Sequence, residues 1–212
     1  MKKIFIAIAI LYSVSSTAQD IGDHVDTRRK TESFAKLPKD QIRTDLASFT
    51  LSGISESIGK AEFKKIPFTA FGNDFMTFEG DNIKATIKSA PFDPAKHKLM
   101  FDDDEKFVIK IDRKAYYGGY GTVPFTYISN ITLTVDGDTV NIPPAAYADL
   151  YNINFTYNDK GVQRSTSGIY RSKDGHRIYI YVFSKDNKGS YEVTWVIQDK
   201  QYLRRVLDYG FM

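Results

Sequence analysis

Residues 166–212 alternate apolar and polar positions more regularly than any other part of the chain. Runs of β-branched and aromatic side chains there are broken by residues that favour tight turns. The pair Asp174-Gly175 predicts a hairpin turn closed by positive φ angles, which sets Ile169 opposite Ile180 and Tyr170 opposite Tyr179. A third strand over 191–197 is expected to turn at Asp199-Lys200 into a fourth over 202–207. That register places Trp195 beside Arg204 and Val193 beside Val206. A second hairpin spans residues 131–142 and closes on Asp136-Gly137. It pairs Ile131 with Ile142 and Leu133 with Val140 on one face, and Thr132 with Asn141 and Thr134 with Thr139 on the other. One greasy face and one wet face describe an outer sheet resting on a core. Residues 178–183 are apolar on both faces and predict a central strand.

Shorter runs of the same kind cover 62–68, 74–79, 83–88, 98–101, 106–111 and 151–157. Gly72-Asn73, the stretch Gly80-Asp81-Asn82, Asp102-Asp103-Asp104 and the stretch 158–161 supply turns between them. Many short strands separated by frequent turns predict an all-β fold, a single antiparallel β-sandwich. The alternative is α+β. Ile42, Leu46 and Phe49 recur at helical spacing behind a capping Asp40, and Pro143-Pro144 leads into one short helical turn over 145–150.

The N-terminus changes the picture of where the chain works. Lys2 and Lys3 precede the apolar run 4–14, and Ser16 and Ala18 satisfy the small-residue rule for cleavage, so residues 1–18 read as a secretory signal and the exported chain begins at Gln19. The apolar run is too short to span a bilayer, and no later window predicts a transmembrane helix. Residues 19–37 are polar and predict a loosely held arm, with the sandwich domain following over 38–212. Loss of Lys2 and Lys3 takes the 29 basic residues to 27 against 26 acids. So small a surplus argues against nucleic acid as a partner. With no cysteine, an exported chain has no disulfide framework, and stability must come from burial of its tyrosines, phenylalanines and aliphatic residues.

Composition offers little chemistry. His24, His97 and His176 lack the close spacing of zinc ligands. The run Asp102-Asp103-Asp104-Glu105 lacks the alternate-position ligands and glycine of a calcium loop, so it reads as a solvated turn and no metal or other cofactor is expected. No nucleophile elbow, phosphate-binding loop or dinucleotide fingerprint occurs. A carboxylate pair for glycoside hydrolysis leaves no spacing signature. Two Asn-x-Thr matches, at Asn130 and Asn154, receive no role.

The one unusual local composition is Tyr116-Tyr117-Gly118-Gly119-Tyr120-Gly121. Tyr116, Tyr117 and Tyr120 on a glycine-permitted loop form the candidate ligand or partner site, set against the plainer reading in which they pack inward. Trp195 alternates with Val193 and Ile197 and is expected in the core. The leading functional expectation is an exported non-catalytic binding or interaction protein, with a carbohydrate or a cell-envelope protein as partner. A hydrolase of extracellular polymer using an Asp/Glu pair is the second, and a structural or assembly subunit the third.

Overall fold

The computed structural model describes residues 63–185 and 189–209 and the backbone of His24–Thr27. It is a nearly all-β sandwich of antiparallel sheets packed together. Its strands are β1 (His24–Thr27), β2 (Phe63–Ile66), β3 (Phe68–Phe71), β4 (Phe75–Gly80), β5 (Ile83–Pro91), β6 (Leu99–Phe101), β7 (Val108–Ile111) and β8 (Thr126–Val135). Then follow β9 (Asp138–Val140), β10 (Tyr157–Asp159), β11 (Val162–Arg164), β12 (Gly168–Ser172), β13 (Arg177–Ser184), β14 (Tyr191–Gln198) and β15 (Gln201–Tyr209). One sheet runs β1-β15-β14-β13-β12-β2 and faces a second, β3-β4-β5-β8-β9, while β6-β7 and β10-β11 are two-stranded ribbons. Within the region expected as an arm, β1 pairs in parallel with β15.

The core lies between the two large sheets, and period two explains its membership. From one side come Met76, Phe78, Ile83, Ala85, Ile87, Ile131 and Leu133; from the other come Ile169, Ile178, Ile180, Val182, Val193, Trp195 and Leu207. The hairpin on Asp136-Gly137 closes as expected, with φ of 52° and 87°, and pairs Leu133 with Val140 and Thr134 with Thr139. The ladder stops there, because β9 ends at Val140 before the proline pair. Ile131 and Ile142 are both buried without being ladder partners. β13 is central, flanked by β12 and β14, and Tyr179, Tyr181 and Val196 form a second buried cluster on its other face.

Three local expectations are corrected. The β12–β13 register is the expected one, yet of the pair Asp174-Gly175 only Gly175 has positive φ. The connection is wider, and the Ser172 hydroxyl replaces a backbone rung by accepting the Arg177 N–H at 2.9 Å. The turn at Asp199-Lys200 forms, but a bulge between Val196 and Ile197 and their partners shifts the far end by one residue. Trp195 faces Arg205 and Val193 faces Leu207, where Arg204 and Val206 were expected. Residues 151–157 do not form a strand. Asn152 adopts φ 48° and spends its side-chain oxygen on the N–H groups of Phe125 and Thr126, so Ile153 and Phe155 reach the core from an irregular segment.

Helix among the described residues is confined to the 3-10 turns Pro94–Lys96 and Pro144–Ala146, and none of it is long and apolar enough to cross a membrane. The second stands where a helical turn over 145–150 was expected, but it covers only Pro144–Ala146. The helical pattern at Ile42, Leu46 and Phe49 lies outside the described residues.

Candidate functional site

The tyrosine loop belongs to a small annex with its own core. β6 and β7 pair across the acidic turn, where one oxygen of Asp102 accepts the N–H groups of Lys106 and Phe107 at 2.7 and 2.9 Å. That is the work of a capping carboxylate, and it accounts for one acid of the run as a turn former. Val108 and Ile111 turn inward onto Phe92 and Tyr151, with Leu99, Tyr116 and Tyr127 packed around them.

The three tyrosines divide between fold and surface. The Tyr116 hydroxyl sits 3.0 Å from the Val108 carbonyl and 3.2 Å from that of Thr122, and it accepts the Gly121 N–H at 3.1 Å. It ties both arms of the loop to β7. Burial raises its pKa, and its ring meets that of Tyr151 edge-on. Tyr117 is buried in the main core with its ring against Tyr209, and its backbone forms a parallel bridge to Leu150. Gly118 lies directly against the Tyr151 backbone, where a Cβ would collide with the carbonyl oxygen. Here the glycine is required both by close approach and by its φ of 93°. Tyr120 alone projects outward, 74 % exposed.

The sequence pattern missed the neighbours of Tyr120. Val108 and Gly121 form an antiparallel bridge, so Phe107 and Ile109 flank one partner and Tyr120 flanks the other. Val108 is buried in the annex core, whereas Phe107, Ile109 and Tyr120 are all exposed. Phe107 is 54 % exposed with its ring against Gly121, and Ile109 is 43 % exposed. Further along the same loop Phe125 is 83 % exposed, its carbonyl held by the Phe92 N–H. The available signal was the ribbon itself: a two-stranded element can bury only one of its faces, and residues 106–111 carry large apolar groups on both.

The loop is anchored from beneath by a buried ion pair. Arg205, turned to the core face by the β15 bulge, donates from both terminal nitrogens to the two oxygens of Asp149 and from one to Ala146 O. Trp195 donates its indole N–H to the same Ala146 carbonyl at 2.8 Å. Asp149 and Tyr151 in turn exchange backbone hydrogen bonds with Tyr117. The chain of contacts therefore runs from β14 and β15 through residues 146–151 to the tyrosine loop.

Two histidines and one pair of acids are held by contacts within the fold. His97 and His176 each pair with one carboxylate, Asp112 and Asp199, at 2.7 Å. Glu192 and Asp208 are cross-strand partners, which is the arrangement a hydrolase pair would need, but both are buried and the Tyr181 hydroxyl donates to Glu192 at 2.7 Å. No polymer chain reaches carboxylates so placed. Sheet edges are short or charged: β9 has three residues, and β2 carries Lys64 and Lys65, features that discourage edge-to-edge assembly. No known family model matches this chain, and no curated protein or solved structure shows significant similarity to it.

Proposed function

We propose that this chain is an exported, non-catalytic binding protein that engages a protein partner through the apolar face formed by Phe107, Ile109 and Tyr120. The observation that carries the reading is the outward projection of these three side chains from an annex whose other face is packed and hydrogen-bonded. Exposed apolar clusters on rigid supports are what protein interfaces use as anchors, with polar residues at the rim. Export is supported by the basic and then apolar N-terminus and its small-residue cleavage site.

Protein is favoured over carbohydrate by chemistry. A sugar stacked on an aromatic ring still needs donors and acceptors for its hydroxyls, and Phe107 and Ile109 carry no polar side-chain atom. The rim favours a partner with basic residues, because Asp103, Asp104 and Glu105 lie exposed in the turn immediately before Phe107.

The test compares proteins retained from a cell-envelope fraction by the chain from Gln19 onward and by its Phe107→Ala/Tyr120→Ala variant. A partner bound by the first and lost with the second, and released as salt is raised, is the expected result. Identical retention by both proteins contradicts the proposal.

A further inference from the structure

The six-stranded sheet is buried on both faces at its centre. Its inner face meets the second sheet, and its outer face carries the cluster of Tyr179, Tyr181 and Val196, with Phe63, Tyr170 and Phe183 packed against it. All six belong to the sheet itself: Phe63 to β2, Tyr170 to β12, Tyr179, Tyr181 and Phe183 to β13, and Val196 to β14. Among the described residues, no hydrophobic side chain from outside the sheet joins them. Yet Val196 is 0 % exposed, Tyr181 1 % and Tyr179 3 %. Side chains on one face of a sheet stand roughly perpendicular to it, so their neighbours cover their flanks and leave their ends open. Burial this complete requires a second layer over the face.

The path of the chain supplies that layer. β1 runs parallel to β15, and every ladder from β15 through β14, β13 and β12 to β2 is antiparallel, so β1 and β2 point the same way from opposite edges of the sheet. The five strand spacings between them amount to about 24 Å. Residues 28–62 therefore have to travel back along the strands and across the sheet, from the end of β1 to the start of β2. The inner face is closed to them, because the second sheet packs there. A crossover on the outer face remains, and parallel strands are usually joined in this way by a helix lying on the sheet.

The sequence of this connection fits the face. Ile42, Leu46 and Phe49 stand four and three residues apart, a spacing that puts them on one side of a helix, with the polar Gln41, Thr44, Asp45 and Ser48 between them. They lie near the middle of 28–62, the part of a crossover that passes over the middle of a sheet, and the buried cluster is centred there on β13 and β14. A helix about 10 Å across covers two neighbouring strands.

We infer that residues 40–49 cross the outer face of the six-stranded sheet as one amphipathic helix, with Ile42, Leu46 and Phe49 packed on Tyr179, Tyr181 and Val196. This face is an internal docking surface whose occupant is the chain's own segment, and it is closed to outside partners. The inference shares no residue with the Phe107 face, so either assignment can fail without the other.

Methyl and tyrosine NMR of the intact chain tests this without altering the protein. Nuclear Overhauser contacts are expected from the rings of Tyr179 and Tyr181 to the methyl groups of Ile42 or Leu46. The amides of 44–49 should exchange at least about 100-fold more slowly than those of a free peptide, since each would be hydrogen-bonded four residues back in a packed layer. A sample mixing labelled and unlabelled copies, filtered for contacts between molecules, should show none of the ring-to-methyl contacts. Rings that touch no methyl group of residues 40–49 would overturn the inference, as would free-peptide exchange over 44–49. Contacts seen only between molecules would overturn it too, by making the occupant a second copy.

Discussion

Removing Asp149 should unfold the anchor beneath the tyrosine loop, at a cost set by an asymmetry in the ion pair. The Arg205 side chain is 2 % exposed and that of Asp149 is 23 % exposed. Asp149→Ala thus withdraws both carboxylate oxygens from a guanidinium that water cannot reach, whereas Arg205→Met leaves a carboxylate that can turn toward solvent. Breaking a buried pair by deleting one partner costs about 3–5 kcal/mol, and the partial exposure of Asp149 places its deletion near the lower end, at about 3 kcal/mol. Arg205→Met should cost less, about 1–2 kcal/mol, because Ala146 O keeps the indole N–H of Trp195. For a chain of this size about 3 kcal/mol lowers the melting temperature by roughly 6–12 °C. Denaturant melts of the two single variants and of Arg205→Met/Asp149→Ala form a double-mutant cycle, in which the double variant should recover at least about 1 kcal/mol relative to Asp149→Ala. The cost should also persist in high salt, since screening acts weakly on a buried pair. An Asp149→Ala cost below about 1 kcal/mol, or strictly additive single effects, would refute this reasoning.

Two further outcomes follow from other parts of the fold. Trp195→Ala should cost about 3–5 kcal/mol, against less than about 0.5 for Gln198→Ala at the end of the same strand, as read from chemical denaturation. His176 should titrate above its ordinary 6.5 in an NMR pH series, because the hydrogen bond to Asp199 and then its charge favour the imidazolium, and Asp199→Asn should return it toward 6.5. Since the folded-state pKa is the raised one, the stabilisation that the pair provides is complete below 6.5 and is lost as pH rises through the raised value.

Legibility from sequence tracked how much of each element's pattern is local. The hairpins at Asp136-Gly137 and Asp199-Lys200 carry their turn chemistry in two residues and their faces in period two, so sheet membership and the burial of Trp195 were readable. The bulge near Val196 was not, because no glycine or proline marks it. It moved Arg205, and not Arg204, to the core face beside Trp195, and with it the ion pair that anchors residues 146–151. Tyr116, Tyr117 and Tyr120 stand close together in sequence, but their separation into two structural residues and one exposed one depends on Val108, Tyr151 and Tyr209, contacts that no local pattern encodes. The acid pair Glu192 and Asp208 was equally silent, since it forms only once β14 and β15 are in register.

The most direct test of the proposed division of labour compares Tyr116→Phe with Tyr120→Ala in one melting and partner-binding experiment. Tyr116→Phe deprives two carbonyls and the Gly121 N–H of their shared hydroxyl and should cost about 1–3 kcal/mol, lowering the melting temperature by several degrees while the partner is still retained below melting. Tyr120→Ala should leave melting within about 0.5 kcal/mol of the parent and release the partner, because an exposed aromatic anchor carries binding energy and no folding energy. A Tyr120→Ala protein that melts as the parent does and keeps every partner would contradict the assignment of this face.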